Sequence, residues 1–263
     1  MSKNDFLKLI KKQRSQKTKE KFDGTLLDYL ELVRQEPDVT KLAHKRLFKA
    51  IEGHGVKVLS DEDPRKNKIF DGDNIKVYEY FDGEFFGMEK VLAKLMRFLK
   101  SASLKGEESR QVLLLMGPVG AGKSALTEHI KAALEKEIYY HLKDDPQRGE
   151  PLQLIPRSLR PEIENILGVQ IEGDISPVAR QLLLDEYDGE YEKFPIVQST
   201  FSQRGRRGVA VVPPMDANSQ DVSVLIGSED ISKLDKYSED DARILSLNGA
   251  FNVGNRGIVE LVE

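Results

Sequence analysis

Residues 111–136 read QVLLLMGPVGAGKSALTEHIKAALEK, an apolar run, a glycine-rich turn and an amphipathic segment in immediate succession. The order predicts a strand over residues 112–116, a phosphate loop over Gly117, Pro118, Val119, Gly120, Ala121, Gly122, Lys123 and Ser124, and a helix starting at about Lys123. The glycines lack side chains, so the loop can wrap tightly and turn its backbone N–H groups toward phosphate oxygens. The helix that follows aims its unpaired N–H groups and the positive end of its dipole at the same place. Lys123 adds a mobile positive charge for the β- and γ-phosphates of a nucleotide, and Ser124 a hydroxyl for the magnesium ion that bridges them. A glycine-rich turn that binds nothing would need neither the flanking apolar run nor the lysine.

Around this stretch, composition narrows the class. The chain has 263 residues, enough for one large α/β domain with a smaller appendage, and a formal net charge of −4 that gives no nucleic-acid signature overall. It has no cysteine, which excludes disulfides and thiolate metal sites and fits a reducing cytoplasm. No apolar run approaches the roughly twenty residues of a membrane span, and the first residues lack the apolar centre of a secretory signal. The expectation is a cytoplasmic protein with no membrane partner.

Upstream of the loop, residues 2–21 are lysine-rich with Phe6, Leu7, Leu9 and Ile10 near the start, which predicts a short amphipathic helix running into a charged tail. The next stretch, FDGTLLDYLELVRQEPDVTKLAHKRLFKAIEGHG, predicts two helices broken near Pro37 and stopped at Gly53. His44, His54, His129 and His141 have no ligand partners at usable spacing and read as structural or solvent-facing. Residues 61–74 are charged, with Pro64 and an Asp-Gly turn, and read as a linker; their acids do not match the roughly twelve-residue calcium loop. This divides the chain into a helical N-terminal region with linker, 1–74, and a nucleotide-binding core, 75–263. KVYEYFDGEFF, residues 76–86, precedes a helix over 88–98. Phe85, Phe86 and Gly87 are candidates to pack beside adenine, and the two phenylalanines serve equally well to anchor that helix.

Downstream, IYYHL at 138–142 predicts a second strand. PLQLIP at 151–156 reads as a short apolar piece, with helices carrying Ile163, Ile166 and Leu167 and then VARQLLLDEY at 178–187. QRGRRG at 203–208 reads as an exposed basic loop rather than an anion site. Val209–Val212 predicts a strand, and the following polar Asp216, Gln220 and Asp221 would not be tolerated unpaired in a core. The closing GAFNVGNRGIVELVE predicts a turn and a strand ending in a carboxylate, set parallel beside the phosphate-loop strand so that its end reaches the same crevice.

GPVGAGKS, FFGMEKVLAKLMRFLKSAS, FDGTLLDYLELV, PLQLIP and NVGNRGIVELVE together resemble the N-terminal AAA domain of the PrkA serine protein kinases, over nearly the whole chain. GSEDISKL, 227–234, and NRGIVELVE also resemble the magnesium-chelatase branch of AAA+ proteins, where this strand ends in Asp-Glu. The resemblance implies an AAA+ P-loop fold, a three-layer α/β/α core with a parallel sheet, preceded by a small helical region. It implies ATP and Mg2+ as cofactors, a homo-oligomeric ring in the full-length protein, and a protein substrate phosphorylated on serine. It carries over to Lys123 on the phosphates, Ser124 on the metal and Glu263 polarising the attacking water. At the position matching the family's Asp stands Val262, which leaves Glu260 or Asp221, with water, to support the metal. The family module continues to a sensor residue, an arginine finger and a helical lid. None follows Glu263, so the chain reads as that module cut before its lid, with turnover weakened accordingly.

Three functions follow from these residues. One is the ATP-binding module of a PrkA-like serine kinase; another is a mechanical AAA+ ATPase that passes phosphate to water; the third is a nucleotide-gated binding module with little turnover. No H-R-D or D-F-G motif supports a eukaryote-type kinase fold, and no N-K-x-D motif supports guanine. Nucleic acid is not an expected partner.

Overall fold

The computed structural model describes residues 6, 22–60, 62–63, 76–214, 221–239 and 241–262. The helix expected over 2–21, apart from Phe6, and most of the linker at 61–74 lie outside the described residues. The strands are β1 (Asp23–Thr25), β2 (Val56–Val58), β3 (Lys76–Tyr78), β4 (Ile138–Leu142), β5 (Pro195–Thr200), β6 (Val209–Val212), β7 (Ser228–Glu229), β8 (Leu245–Ser246) and β9 (Ile258–Leu261). The α-helices are α1 (Leu26–Gln35), α2 (Ala43–Glu52), α3 (Glu89–Ser103), α4 (Lys123–Glu135), α5 (Arg160–Leu167), α6 (Pro177–Tyr187), α7 (Ser223–Ile226) and α8 (Ala250–Val253). They group into two compact units that interleave along the chain.

The first unit takes residues 1–40, 138–200 and 220–255. Its sheet has the order β1-β5-β4, with both ladders antiparallel. Thr25 opens α1: Asp28 Oδ2 accepts from its backbone N–H at 2.7 Å and its hydroxyl at 2.9 Å, which satisfies a free donor and holds that carboxyl below its ordinary range. Leu26, Tyr29 and Val33 recur at helical spacing and are fully buried, and Pro37 then stops the helix as expected. They join Tyr140, Leu142, Leu152, Leu154, Phe194 and Ile196 in one apolar core. Each such side chain contributes about 1.5–3 kcal/mol when fully buried. The buried Tyr29 hydroxyl donates to Glu150 Oε1 at 2.6 Å, so this ring enters the core without an orphaned polar tip. Ser176 caps α6 by accepting from the Ala179 N–H, and Pro177 fills the first turn where no N–H is needed.

The second unit takes residues 41–137, 201–219 and 256–263 and holds the phosphate loop. Here α2 packs on α3 and α4. The apolar stripes are Leu47, Phe48 and Ile51 on α2, Leu92, Leu95, Met96 and Leu99 on α3, and Leu126, Ile130, Ala133 and Leu134 on α4, all buried. β2 and β3 form an antiparallel pair, and β6 and β9 a parallel one. Gly257 allows the second pair to form. A Cβ there would lie 1.7 Å from the Gly208 carbonyl oxygen, which accepts from the Ile258 N–H at 2.8 Å.

Two expectations are corrected. Residues 112–116 form no strand, and Val112, Leu114 and Met116 are 87%, 73% and 84% exposed. A strand exists only as part of a ladder, and no described segment offers these residues one. β9 accordingly pairs with β6, not with residues 112–116. The parallel arrangement expected of the sheet is present only as that pair among the described residues. No helix among the described residues is long and apolar enough to cross a membrane.

Candidate nucleotide site

The phosphate loop leads directly into α4. Gly120 and Gly122 have φ of 82° and 79°, a left-handed backbone that a side chain would strain, and Gly122 is the residue before the helix. Lys123 begins α4 and folds back over the loop, its ammonium donating to the carbonyl oxygens of Gly117 at 2.6 Å and Pro118 at 2.9 Å. The charge therefore sits over the mouth of the loop. Ser124 is exposed beside it, and Val119 at the loop's tip is fully exposed. Phosphates would replace the two carbonyls as partners of Lys123 and meet the first N–H groups of α4.

The segment before α3 separates the roles left open for its two phenylalanines. Phe85 is 9% exposed and its ring meets Phe81 at 5.9 Å and His129 of α4 at 5.3 Å, both edge-on. It is an anchor. The Tyr80 hydroxyl, donating to the His129 carbonyl at 2.8 Å, ties the same segment to α4. Phe86 is 80% exposed and Gly87, with φ of 72°, turns the chain immediately after it. Met88 then brings its sulfur to 3.6 Å from where a Cβ on Gly122 would stand. Phe86 and Gly87 thus adjoin a residue that lies near the phosphate loop, and the Phe86 ring is open to solvent.

The acids behave differently from one another. Glu260 on β9 accepts from the Thr127 hydroxyl at 2.7 Å and the Lys131 ammonium at 2.6 Å. Lys131, whose side chain is 3% exposed, also donates to Glu128 at 2.6 Å. Burial pulls the Lys131 pKa down, but the hydrogen bonds and charges of Glu128 and Glu260 outweigh it and hold it above the ordinary lysine value. Glu260 is therefore committed to α4 rather than standing free for a metal. Asp221 accepts from the Ser223 N–H at 2.9 Å and serves the turn into α7. Val262 offers no donor, and Glu263, Asp216 and Gln220 lie outside the described residues.

No group of three or more His, Asp or Glu side chains is placed to hold a metal ion among the described residues. Among the described residues, what remains for Mg2+ is the Ser124 hydroxyl, with water and the phosphates themselves. That suits an ion that keeps several waters and arrives on its nucleotide, not one caged by the protein. His141 is buried against Ser199, His54 lies on the Ala50 carbonyl of α2 and His129 sits among rings. QRGRRG closes as a tight turn, with Ser202 and Arg207 exchanging two backbone hydrogen bonds of 2.9 Å and Gln203 N–H donating to Glu135. Thr127 and Lys131 were not singled out from the sequence, although successive steps of four from Lys123 place all three on one stripe of the helix.

Comparison with known proteins agrees with the loop. Residues 24–263 match the family described as the PrkA AAA domain. A relative from Bacillus subtilis, the ATP-dependent protease PrkA, is 35% identical over 98% of this chain and 40% of its own length. The serine/threonine kinase YeaG of Escherichia coli is 33% identical over 91% of this chain and 38% of its own length. Lon protease of Clostridium beijerinckii is 29% identical over 47% of this chain and 16% of its own. The chain thus spans about 40% of the length of the first two relatives. No solved structure matches at a significant level.

Proposed function

Because the chain belongs to the PrkA AAA domain family, we propose that it is the ATP-binding module of a PrkA-like serine protein kinase, which in the full-length protein transfers the terminal phosphoryl group of ATP to a protein serine. The observation that carries the nucleotide reading is the loop itself: left-handed Gly120 and Gly122, Lys123 poised over the mouth, and the Phe86–Gly87 segment held against Gly122 by Met88. Gly117, Pro118, Val119 and Ala121 complete the cradle. Mg2+ would screen the charge of the phosphates and would be met by Ser124. Lys123 would exchange its carbonyl partners for phosphate oxygens, and Phe86 would stack on adenine. Glu263 is proposed to orient the attacking group. The reading keeps residues 1–74 as a helical region with linker and 75–263 as the core, in a cytoplasmic protein that assembles as a homo-oligomer.

A second reading is supported by the names of the relatives, one a protease and one a kinase. In it the same site serves an AAA+ motor that passes phosphate to water. Incubating the full-length protein with γ-labelled ATP separates the two: label on protein supports the kinase, and label only in free phosphate supports the motor. For the module alone, Lys123→Ala is expected to weaken ATP binding by about 10- to 150-fold, from the roughly 1.5–3 kcal/mol of a hydrogen bond to a charged group. Unchanged affinity in a calorimetric titration would remove Lys123 from the site.

A further inference from the structure

Glu260 uses both of its carboxylate oxygens on α4. Oε1 lies 2.7 Å from the Thr127 hydroxyl and Oε2 lies 2.6 Å from the Lys131 ammonium. The same Thr127 hydroxyl lies 3.0 Å from the carbonyl oxygen of Ser124. One side chain therefore touches both the strand's carboxylate and the residue that would meet the metal. Along α4, Lys123, Thr127 and Lys131 repeat at a spacing of four, which aligns phosphate-binding and strand-binding groups on one stripe. Along β9, Ile258 and Glu260 share a face because side chains alternate.

β9 needs such a tether. It is hydrogen-bonded to β6 over Val209–Val212, and among the described residues no strand pairs with its other edge. A slip of one residue would exchange its two faces, and a slip of two would move its end by about 6–7 Å. The cost of burying an ion pair argues in the same direction. An apolar pair of similar size is commonly as stable or more so, so a charged pair kept here earns its place through specificity of arrangement.

We propose that Lys131 is a positioning residue that acts through Glu260 and Thr127 to fix the register of β9 against α4 and to steady the first turn of α4, where Ser124 would meet the magnesium of a bound nucleotide. The inference rests on the nucleotide reading above. Lys131 is not placed to touch phosphate or metal; it determines how β9 is held against α4.

The test is a calorimetric titration of this chain with ATP, with and without Mg2+, beside thermal unfolding. Lys131→Met/Glu260→Met replaces the pair with apolar groups of similar size, and Thr127→Val removes the hydroxyl between Glu260 and Ser124 while leaving the Lys131–Glu260 pair in place. The double variant is expected to unfold no earlier than the wild type and to bind metal-free ATP within about threefold of it. It should lose at least about tenfold of the gain in affinity that Mg2+ gives the wild type, a loss equivalent to 1.4 kcal/mol. Thr127→Val should lose a smaller part of that gain. An equal Mg2+ gain in wild type and double variant overturns the proposal, as does the absence of any gain in the wild type. If the double variant does not fold, an undiminished gain in Thr127→Val overturns it alone. Failure of the nucleotide reading has its own signature, ATP binding that is absent or indifferent to Lys123→Ala.

Discussion

Phe85 and Phe86 are neighbours in sequence with opposite surroundings. Phe85 is packed among Phe81 and His129, whereas Phe86 leaves four fifths of its surface to solvent. Phe85→Ala should therefore cost about 3–5 kcal/mol of stability, the usual loss for a buried aromatic. Phe86→Ala should change stability by less than about 0.5 kcal/mol. It should weaken ATP binding by about 5- to 150-fold, if stacking on the base is worth roughly 1–3 kcal/mol. Denaturant unfolding and ATP titration of the two variants check the pair, and the reverse pattern would move the base to another wall. Lys131 makes a prediction in pH. Its folded pKa is raised above the unfolded value of 10.5, so its contribution is fully present below that value and is lost as pH rises through the folded one. Urea unfolding between pH 9 and 12 should show stability falling with pH in the wild type, and a shallower fall in Lys131→Met/Glu260→Met.

Among the elements, the parallel pair β6–β9 depends on a contact between two backbones. A methyl group at Gly257 would lie 1.7 Å from the Gly208 oxygen, inside any permitted contact, and the obstacle is main chain that cannot rotate away. Gly257→Ala is expected to destabilise the protein by more than about 4 kcal/mol, in the range reserved for strain and lost packing, with thermal unfolding as the measurement. A well-folded variant would show that β9 can shift without loss. Most elements were legible beforehand. The helices of residues 26–52 came from apolar spacing and Pro37, and α4 began where the glycines and Lys123 placed it. The apolar run at 112–116 was misjudged because apolar content and its place before a glycine-rich turn report only what a segment is fit to do. Whether a ladder partner stands beside it is a property of other residues. The same cause moved β9 to a different neighbour.

For the molecule as a whole, the two units give ATP binding a regional signature. A ligand that binds only the folded state stabilises it by about 2.7 kcal/mol at a hundredfold excess over its Kd. Amide exchange should slow within residues 76–137 and 256–262, which belong to the unit that holds the loop, while the unit built on α1 and the β1-β5-β4 sheet changes less. Protection confined to the unit of α1 and the β1-β5-β4 sheet would place the nucleotide elsewhere.

The sequence by itself determined the phosphate loop, because glycine geometry, a lysine and a helix start are local properties readable at fixed spacing. It also determined the family, through several segments matching in order. Only the tertiary structure decided that Phe85 anchors while Phe86 stands free, that Glu260 is held by Thr127 and Lys131, and that residues 112–116 lack a ladder. Each of these depends on which distant residue lies alongside, and pairing across more than a hundred positions, as between Lys131 and Glu260, leaves no trace in local spacing.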